Sequence, residues 1–130
     1  MMIITEKDYV DKAEAAIRSH KSRKDRRNRP IAMVTTSKIR NLLAMASDIC
    51  AEVQGQKEGQ LSDELCGRID YLKVRFLYEA GREDTVKNFV EDAHILECMN
   101  GIKGDKKNFI LFSRYMEALV AYHRYLGGKD

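Results

Sequence analysis

The chain of 130 residues has no tryptophan, a single proline (Pro30) and three cysteines. With so little proline, helix is open to almost the whole chain, because proline removes a backbone donor and clashes inside a helix. Cys50, Cys66 and Cys98 are an odd number with no close pair. That argues against a disulfide framework or a C-x-x-C motif and fits a reducing compartment. No apolar run approaches the ~20 residues that span a bilayer. The first twenty residues, MMIITEKDYVDKAEAAIRSH, are interrupted by charge every few positions. They do not read as a signal peptide, and a cytoplasmic protein without membrane attachment is expected. Phosphate-binding G-x-x-x-x-G-K and zinc-binding H-E-x-x-H are both missing. No segment alternates as a strand does, and no internal repeat or low-complexity tract is present.

Charge, by contrast, is abundant and uneven. Charged residues make up 33% of the chain and the formal net charge is +3. The segment Arg18 to Arg29 (RSHKSRKDRRNR) holds seven cations and one acid, so the remainder is net acidic. A near-neutral domain carrying one basic segment suggests that a particular surface meets a polyanion.

Hydrophobic spacing then places the elements, and the central one is the last. In DKKNFILFSRYMEALVAYHRYL (105–126), Phe109, Phe112, Met116, Leu119, Val120, His123 and Leu126 follow helical spacing. Leu111, Tyr115, Ala118 and Tyr122 widen that face to roughly 220°, which suits a helix with neighbours on two sides. Tyr115, Tyr122 and Leu111 serve either the core or contacts with other subunits. Asp105 is its expected N-cap, and Gly127-Gly128 stop it.

Upstream, a first helix is expected from Thr5 to about Ser19, with Thr5 and Asp8 spaced as a capping box and a thin apolar face of Tyr9, Ala13, Ala16 and Ile17. Residues 20–34 read as a flexible charged connection. A second helix runs from Thr35–Ser37 to about Gln54, with Ile39, Leu42, Leu43, Ala46, Ile49, Cys50 and Val53 on one face. Ser62 caps a third, whose core face is Leu65, Ile69, Leu72, Phe76, Leu77 and Ala80 and which ends at Gly81. A fourth is expected from Asp84 to Asn100, using Val86, Phe89, Val90, Ala93 and Leu96. The fold class is all-α: an N-terminal helix and basic connection (1–34), then a compact bundle (35–130), with about five helices in total and a long central C-terminal one.

No constellation of side chains amounts to a catalytic set. Glu91 and His94 form one E-x-x-H, but a di-iron bundle needs a second copy and two further glutamates. A surface Glu and a partly buried His explain the pair. His123 lies mid-arc on the last helix with no second catalytic group at recognisable spacing, so it reads as a core or interface histidine. The cysteines read as small buried hydrophobes. Gly101-Ile102-Lys103-Gly104 matches the G-x-x-G loop of KH domains, but a KH fold needs a sheet. A helix–helix turn accounts for it.

The third helix is the most specific. Arg68, Tyr71, Arg75 and Tyr78 are spaced 3, 4, 3, and Arg82 follows four residues on. Such a stripe suits a nucleic-acid strand, with guanidinium on phosphate and rings on bases. It equally suits the rim of a helix pair, with arginine stems covering apolar surface. The basic run is similarly open, as an RNA contact or a solvated linker.

Three blocks of the sequence are similar to a known family. They are Thr36-Ser37-Lys38-Ile39-Arg40-Asn41-Leu42-Leu43; Leu72-Lys73-Val74-Arg75 with Tyr78-Glu79-Ala80-Gly81-Arg82; and Arg114-Tyr115-Met116-Glu117-Ala118-Leu119-Val120-Ala121-Tyr122-His123 with Gly127-Gly128-Lys129-Asp130. On these the chain, over about residues 35 to 130, resembles the small all-helical subunit of type III-A CRISPR–Cas effector complexes, the Csm complexes. The resemblance implies a non-catalytic subunit without cofactor, metal or small-molecule substrate. It implies several stacked copies, contacts with the other Csm subunits, and contact with target RNA paired to crRNA. Base pairing reads sequence in such complexes, so basic side chains should touch backbone. Carried onto this chain, the RNA-binding candidates are Lys38, Arg40, Lys73, Arg75 and Arg82, with Arg68 added from the stripe. The acidic fourth helix should face away from RNA. The competing reading is a helical protein–protein interaction module without RNA binding.

Overall fold

Side-chain caps fix where the long helices start. The computed structural model describes residues 2–130 and contains α1 (Tyr9–Lys21), α2 (Thr36–Gly55), α3 (Asp63–Arg82), α4 (Asp84–Asp92), α5 (Ile95–Ile102) and α6 (Lys106–Tyr125). Thr35 Oγ1 accepts the Lys38 amide at 3.3 Å, Ser62 Oγ that of Leu65 at 3.2 Å, and Asp105 Oδ2 that of Asn108 at 3.0 Å. Each satisfies one amide that the first turn leaves without an intrahelical acceptor. Before α1, the Thr5 amide donates to Asp8 Oδ1 and the Asp8 amide to Thr5 Oγ1. This is the reciprocal capping box, closed as a turn, so the regular helix begins at Tyr9. Among the described residues there is no strand, and no helix is long and apolar enough to cross a membrane. The all-α reading holds, with six helices in place of about five.

α6 lies at the centre, packed against α1, α2 and α5. It buries Phe109, Phe112, Tyr115, Met116, Leu119 and His123. Phe112 meets Phe76 of α3 edge-on, with ring centroids 6.4 Å apart. That geometry sets the positive edge of one ring against the negative face of the other. Of the aromatic residues expected to widen the α6 face, Tyr115 is buried and donates its hydroxyl to Ala93 O at 2.9 Å. Leu111 and Tyr122 are half-buried and pack against the core.

Three local expectations are corrected. The stretch 84–100 is not one helix: it breaks at Ala93-His94, where His94 takes left-handed dihedrals (φ 54°, ψ 42°). A straight continuation would carry Glu97 and Asn100 onto the line of Val86, Phe89, Val90 and Ala93. The break resets the phase, so that Ile95, Cys98, Met99 and Ile102 go inward instead. His94 itself ends exposed, with Nδ1 2.8 Å from Glu97, rather than partly buried. On α3, Leu77 is 49% exposed while Glu79 is only 8% exposed. Glu79 continues the Leu72–Phe76 line, and Leu77 stands about 100° beyond Phe76 on the far side. Of the cysteines, Cys98 is buried, while Cys50 and Cys66 are half-buried.

The connection between α1 and α2 is hydrogen-bonded along much of its length. Asp25 Oδ1 accepts the amides of Arg27 and Arg29, and the Asp25 amide donates to Arg29 O. Arg23 Nε donates to Asp92 Oδ2 at 2.8 Å and its Nη2 to Glu91 at 3.2 Å. Further on, both polar groups of the Val34 peptide meet a buried histidine. The Val34 amide donates to His20 Nε2 at 3.0 Å, and Val34 O lies 2.6 Å from His123 Nε2. His20 must therefore carry its proton on Nδ1, which donates to Asp92 at 3.0 Å, and His123 must carry its own on Nε2. His20 is thereby neutral, and Nδ1 of His123 is buried without a hydrogen-bond partner. The C-terminal tail closes the set: Gly128 is buried against the His123 ring, and Lys129 O accepts the Thr36 amide at 2.9 Å.

Burial, above all, pushes both histidines below the ordinary imidazole value of 6.5, although Asp92 opposes this at His20 and Val34 O opposes it at His123. Their contribution to stability is complete above pH 6.5. It is lost as the pH falls, because the unfolded chain takes up protons that the folded chain refuses. The urea midpoint should accordingly drop between pH 7.5 and 5.5, and the drop should shrink in His20→Gln/His123→Gln. A Cβ at Gly128 would overlap the His123 ring. Gly128→Ala should therefore cost about 1–3 kcal/mol by overpacking, read from the same denaturation curves.

Candidate nucleic-acid interface

α2 and α3 run antiparallel, as their ion pairs show: Lys38 near the start of α2 reaches Glu79 and Glu83 at the end of α3, while Glu52 late in α2 pairs with Arg68 early in α3. The hairpin thereby separates charge along its length. Residues 18–40 hold nine cations and one acid, whereas residues 48–70 hold six acids and two cations. One end of the molecule gathers the close of α1, the basic turn, the start of α2 and the close of α3.

At that end Glu79 is the organising group. It is nearly buried and accepts from three cations: Lys38 at 3.4 Å, Arg75 at 3.4 Å and Arg82 at 3.5 Å. Lys38 also pairs with Glu83 at 3.2 Å. The Glu83 carboxylate first, then Glu79, holds its ammonium above the usual lysine value. The guanidinium carbons of Arg75 and Arg82 lie 5.4 and 5.6 Å from the Tyr78 ring centroid, within cation–π range. Three cations around one buried acid leave this cluster net positive.

The six candidate cations do not form one patch. Lys38, Arg75 and Arg82 converge. Arg40 is exposed on α2 and makes no ion pair among the described residues. Arg68 lies two turns before Arg75, paired with Glu52 on the acidic half of the hairpin. Lys73 faces the opposite flank and donates to Asn100 Oδ1 on α5 at 2.6 Å. The sequence reading gave Glu79 and Glu83 no part in pairing these cations, although the i, i+4 spacing of Arg75–Glu79 and the i, i+3 spacing of Glu79–Arg82 signal it. In the basic turn, Arg23 is spent on Asp92 and Glu91, and Arg29 on Asp25. Lys21, Lys24, Arg26 and Arg27 are exposed without an ion pair among the described residues.

The three converging cations present positive charge at this end of the molecule. Among the described residues no three His, Cys, Asp or Glu side chains are grouped to hold a metal ion. Glu91 of the lone E-x-x-H pairs with Arg23, and its His94 with Glu97. Both buried histidines are committed to the Val34 backbone.

Comparison with known proteins decides the family. A family profile described as Csm2 Type III-A matches residues 12–129. The chain belongs to the Csm2 type III-A family. A "CRISPR system Cms protein Csm2" of Streptococcus thermophilus is 44% identical over 130 residues, covering all of both chains. A protein of the same description from Mycobacterium tuberculosis (strain CDC 1551 / Oshkosh) is 39% identical over 99% of each chain. One from Enterococcus italicus is 34% identical over 87% of this chain and 85% of its own. The matched span takes in nearly all of α1 and the basic turn, so the Csm2 likeness reaches well upstream of residue 35.

Without Glu79 the three cations would repel one another, and that repulsion is screened by salt. Glu79→Gln should therefore lower the urea midpoint at low salt. The loss should largely vanish at about 1 M salt, where the Debye length is about 3 Å. Equal losses at both concentrations would show that Glu79 acts through packing alone.

Proposed function

We propose that this Csm2-family chain is the non-catalytic small subunit of a type III-A CRISPR ribonucleoprotein effector, acting in antiviral defence in the cytoplasm. It stacks in several copies among the other Csm subunits and contacts the backbone of target RNA paired to crRNA. The observation that carries this reading is the cationic end of the molecule, where Lys38, Arg75 and Arg82 crowd around Glu79 and Arg40 stands exposed near the start of α2. Exposed cations suit phosphate, whose contacts position but carry no sequence information. Arg68 extends the contact along the α2 side of α3. Lys24, Arg26 and Arg27 of the basic turn add charge at the same end. Target choice then rests with base pairing, and the protein reads backbone and shape.

The exposed apolar residues of α3 favour a second reading, a helical module that binds only protein. The two readings part on RNA. The isolated chain should bind single-stranded RNA weakly and without sequence preference, with log K falling against log salt by about 0.7 for each phosphate neutralised. Arg75→Glu/Arg82→Glu should weaken binding and flatten that slope, measured by fluorescence anisotropy across a salt series. An unchanged affinity and slope would sink the RNA contact and leave the protein-only module.

A further inference from the structure

The outer face of α3 has a spacing that a solvated helix does not need. Gly67, Tyr71, Val74, Tyr78 and Gly81 succeed one another at 4, 3, 4 and 3 residues, and all five are exposed. Tyr71 is 60% exposed, Val74 53% and Tyr78 54%, with Leu77 beside them at 49%. The other large hydrophobics exposed among the described residues are Ile3, Val10 and Tyr125, none of them on α3. A 4-3 repeat keeps an apolar stripe facing a second helix over several turns. Gly67 and Gly81 sit at its two ends, and a Cβ at either would meet nothing within 4 Å. No neighbour within the chain requires them, whereas a bare backbone there lets a partner approach closely.

From Lys73 to Arg82 the edges of this stripe carry mainly positive charge, whereas at the Gly67 end Asp48 and Glu64 line the groove beside Tyr71 and Glu52 pairs with Arg68. Arg68, Arg75 and Arg82, each seven residues apart, form a row on the α2 side, and Lys73 stands on the α5 side. Between Gly67 and Gly81 the only exposed acid is Asp70, since Glu79 is nearly buried.

We propose that the outer face of α3 docks an amphipathic helix of a different polypeptide in the effector assembly, one with an apolar 4-3 seam flanked by Asp and Glu. Charge complementarity selects this occupant. A second copy of α3 set antiparallel would bring Arg75, near the middle of the stripe, against its own counterpart, and one set parallel would set like charge on like along the whole stripe. RNA is a poorer match as well. Val74 and Leu77 present neither a ring nor a hydrogen bond, and the Tyr78 ring already has two guanidinium groups within 6 Å. The RNA contact then lies toward the α2 side and the end of the molecule, with Arg75 at the join of the two surfaces.

This proposal rests on the chain working inside an effector assembly, and the experiment separates the two. The tagged full chain, with Val74 replaced by the photoreactive p-benzoylphenylalanine, is purified from its host with whatever RNA and polypeptides accompany it. It is then irradiated and mapped by mass spectrometry, against a control with the same group at exposed Glu117 of α6. The expected result is a crosslink from position 74 to an acidic helical segment of a different subunit, at several times the control yield. Val74→Glu, at a solvent-facing position that leaves the fold intact, should then lower the chain's recovery with that subunit at least about fivefold, by burying an unpaired charge. A crosslink to RNA, to a second copy of this chain, or none above the control overturns the docking face while the assembly stands. A chain that purifies alone overturns the assembly reading, and the docking face with it.

Discussion

The Val34 peptide, held at its amide by His20 and at its carbonyl by His123, is the contact on which the arrangement of this bundle turns. Five parts of the chain meet there: the end of α1, the approach to α2, the end of α4 through Asp92, the end of α6, and the C-terminal tail over the His123 ring. A peptide group buried without partners would cost several times what a satisfied one contributes. His20 can serve only as a neutral ring in one tautomer, and His123 only with a proton on Nε2. The same group of contacts sets where the basic turn lies, because Asp92 receives both His20 and Arg23. Protonation chemistry in the core and the placement of surface charge are thus one problem in this protein.

The titratable groups are spent on structure rather than on reactivity. Glu79 spreads one buried charge over three cations, Asp25 closes a turn, and Asp92 ties two elements together. What remains in solvent is unpaired positive charge at one end of the α2–α3 hairpin and an apolar ridge along α3. The proposed RNA contact draws on the first of these surfaces and the proposed helix docking on the second.

Much of this was legible in the sequence because helices announce themselves locally. Caps at Thr35, Ser62 and Asp105, and periodic apolar residues in 36–55, 63–82 and 106–125, depend only on neighbours within four positions. The break at His94 was not legible, because periodicity alone does not distinguish a bend from a change of face. The exposure of Leu77 and the burial of Glu79 were missed for a related reason. A hydrophobic count assigns both sides of an arc to the core, whereas α3 has neighbours over only part of its circumference. The histidine pair was half legible: His123 stood on an apolar face, but nothing in the sequence joined it to His20, 103 positions away.

By itself the sequence determined the three long helices, their capped starts, the uneven charge and the family. These follow from short-range spacing and from residue identity. Only the tertiary structure decided which cations converge, which are already paired, and which side of α3 is left bare. Those outcomes depend on where the elements pack, and packing brings Lys38 to Glu79 and Arg68 to Glu52 across a hairpin whose register no local pattern specifies.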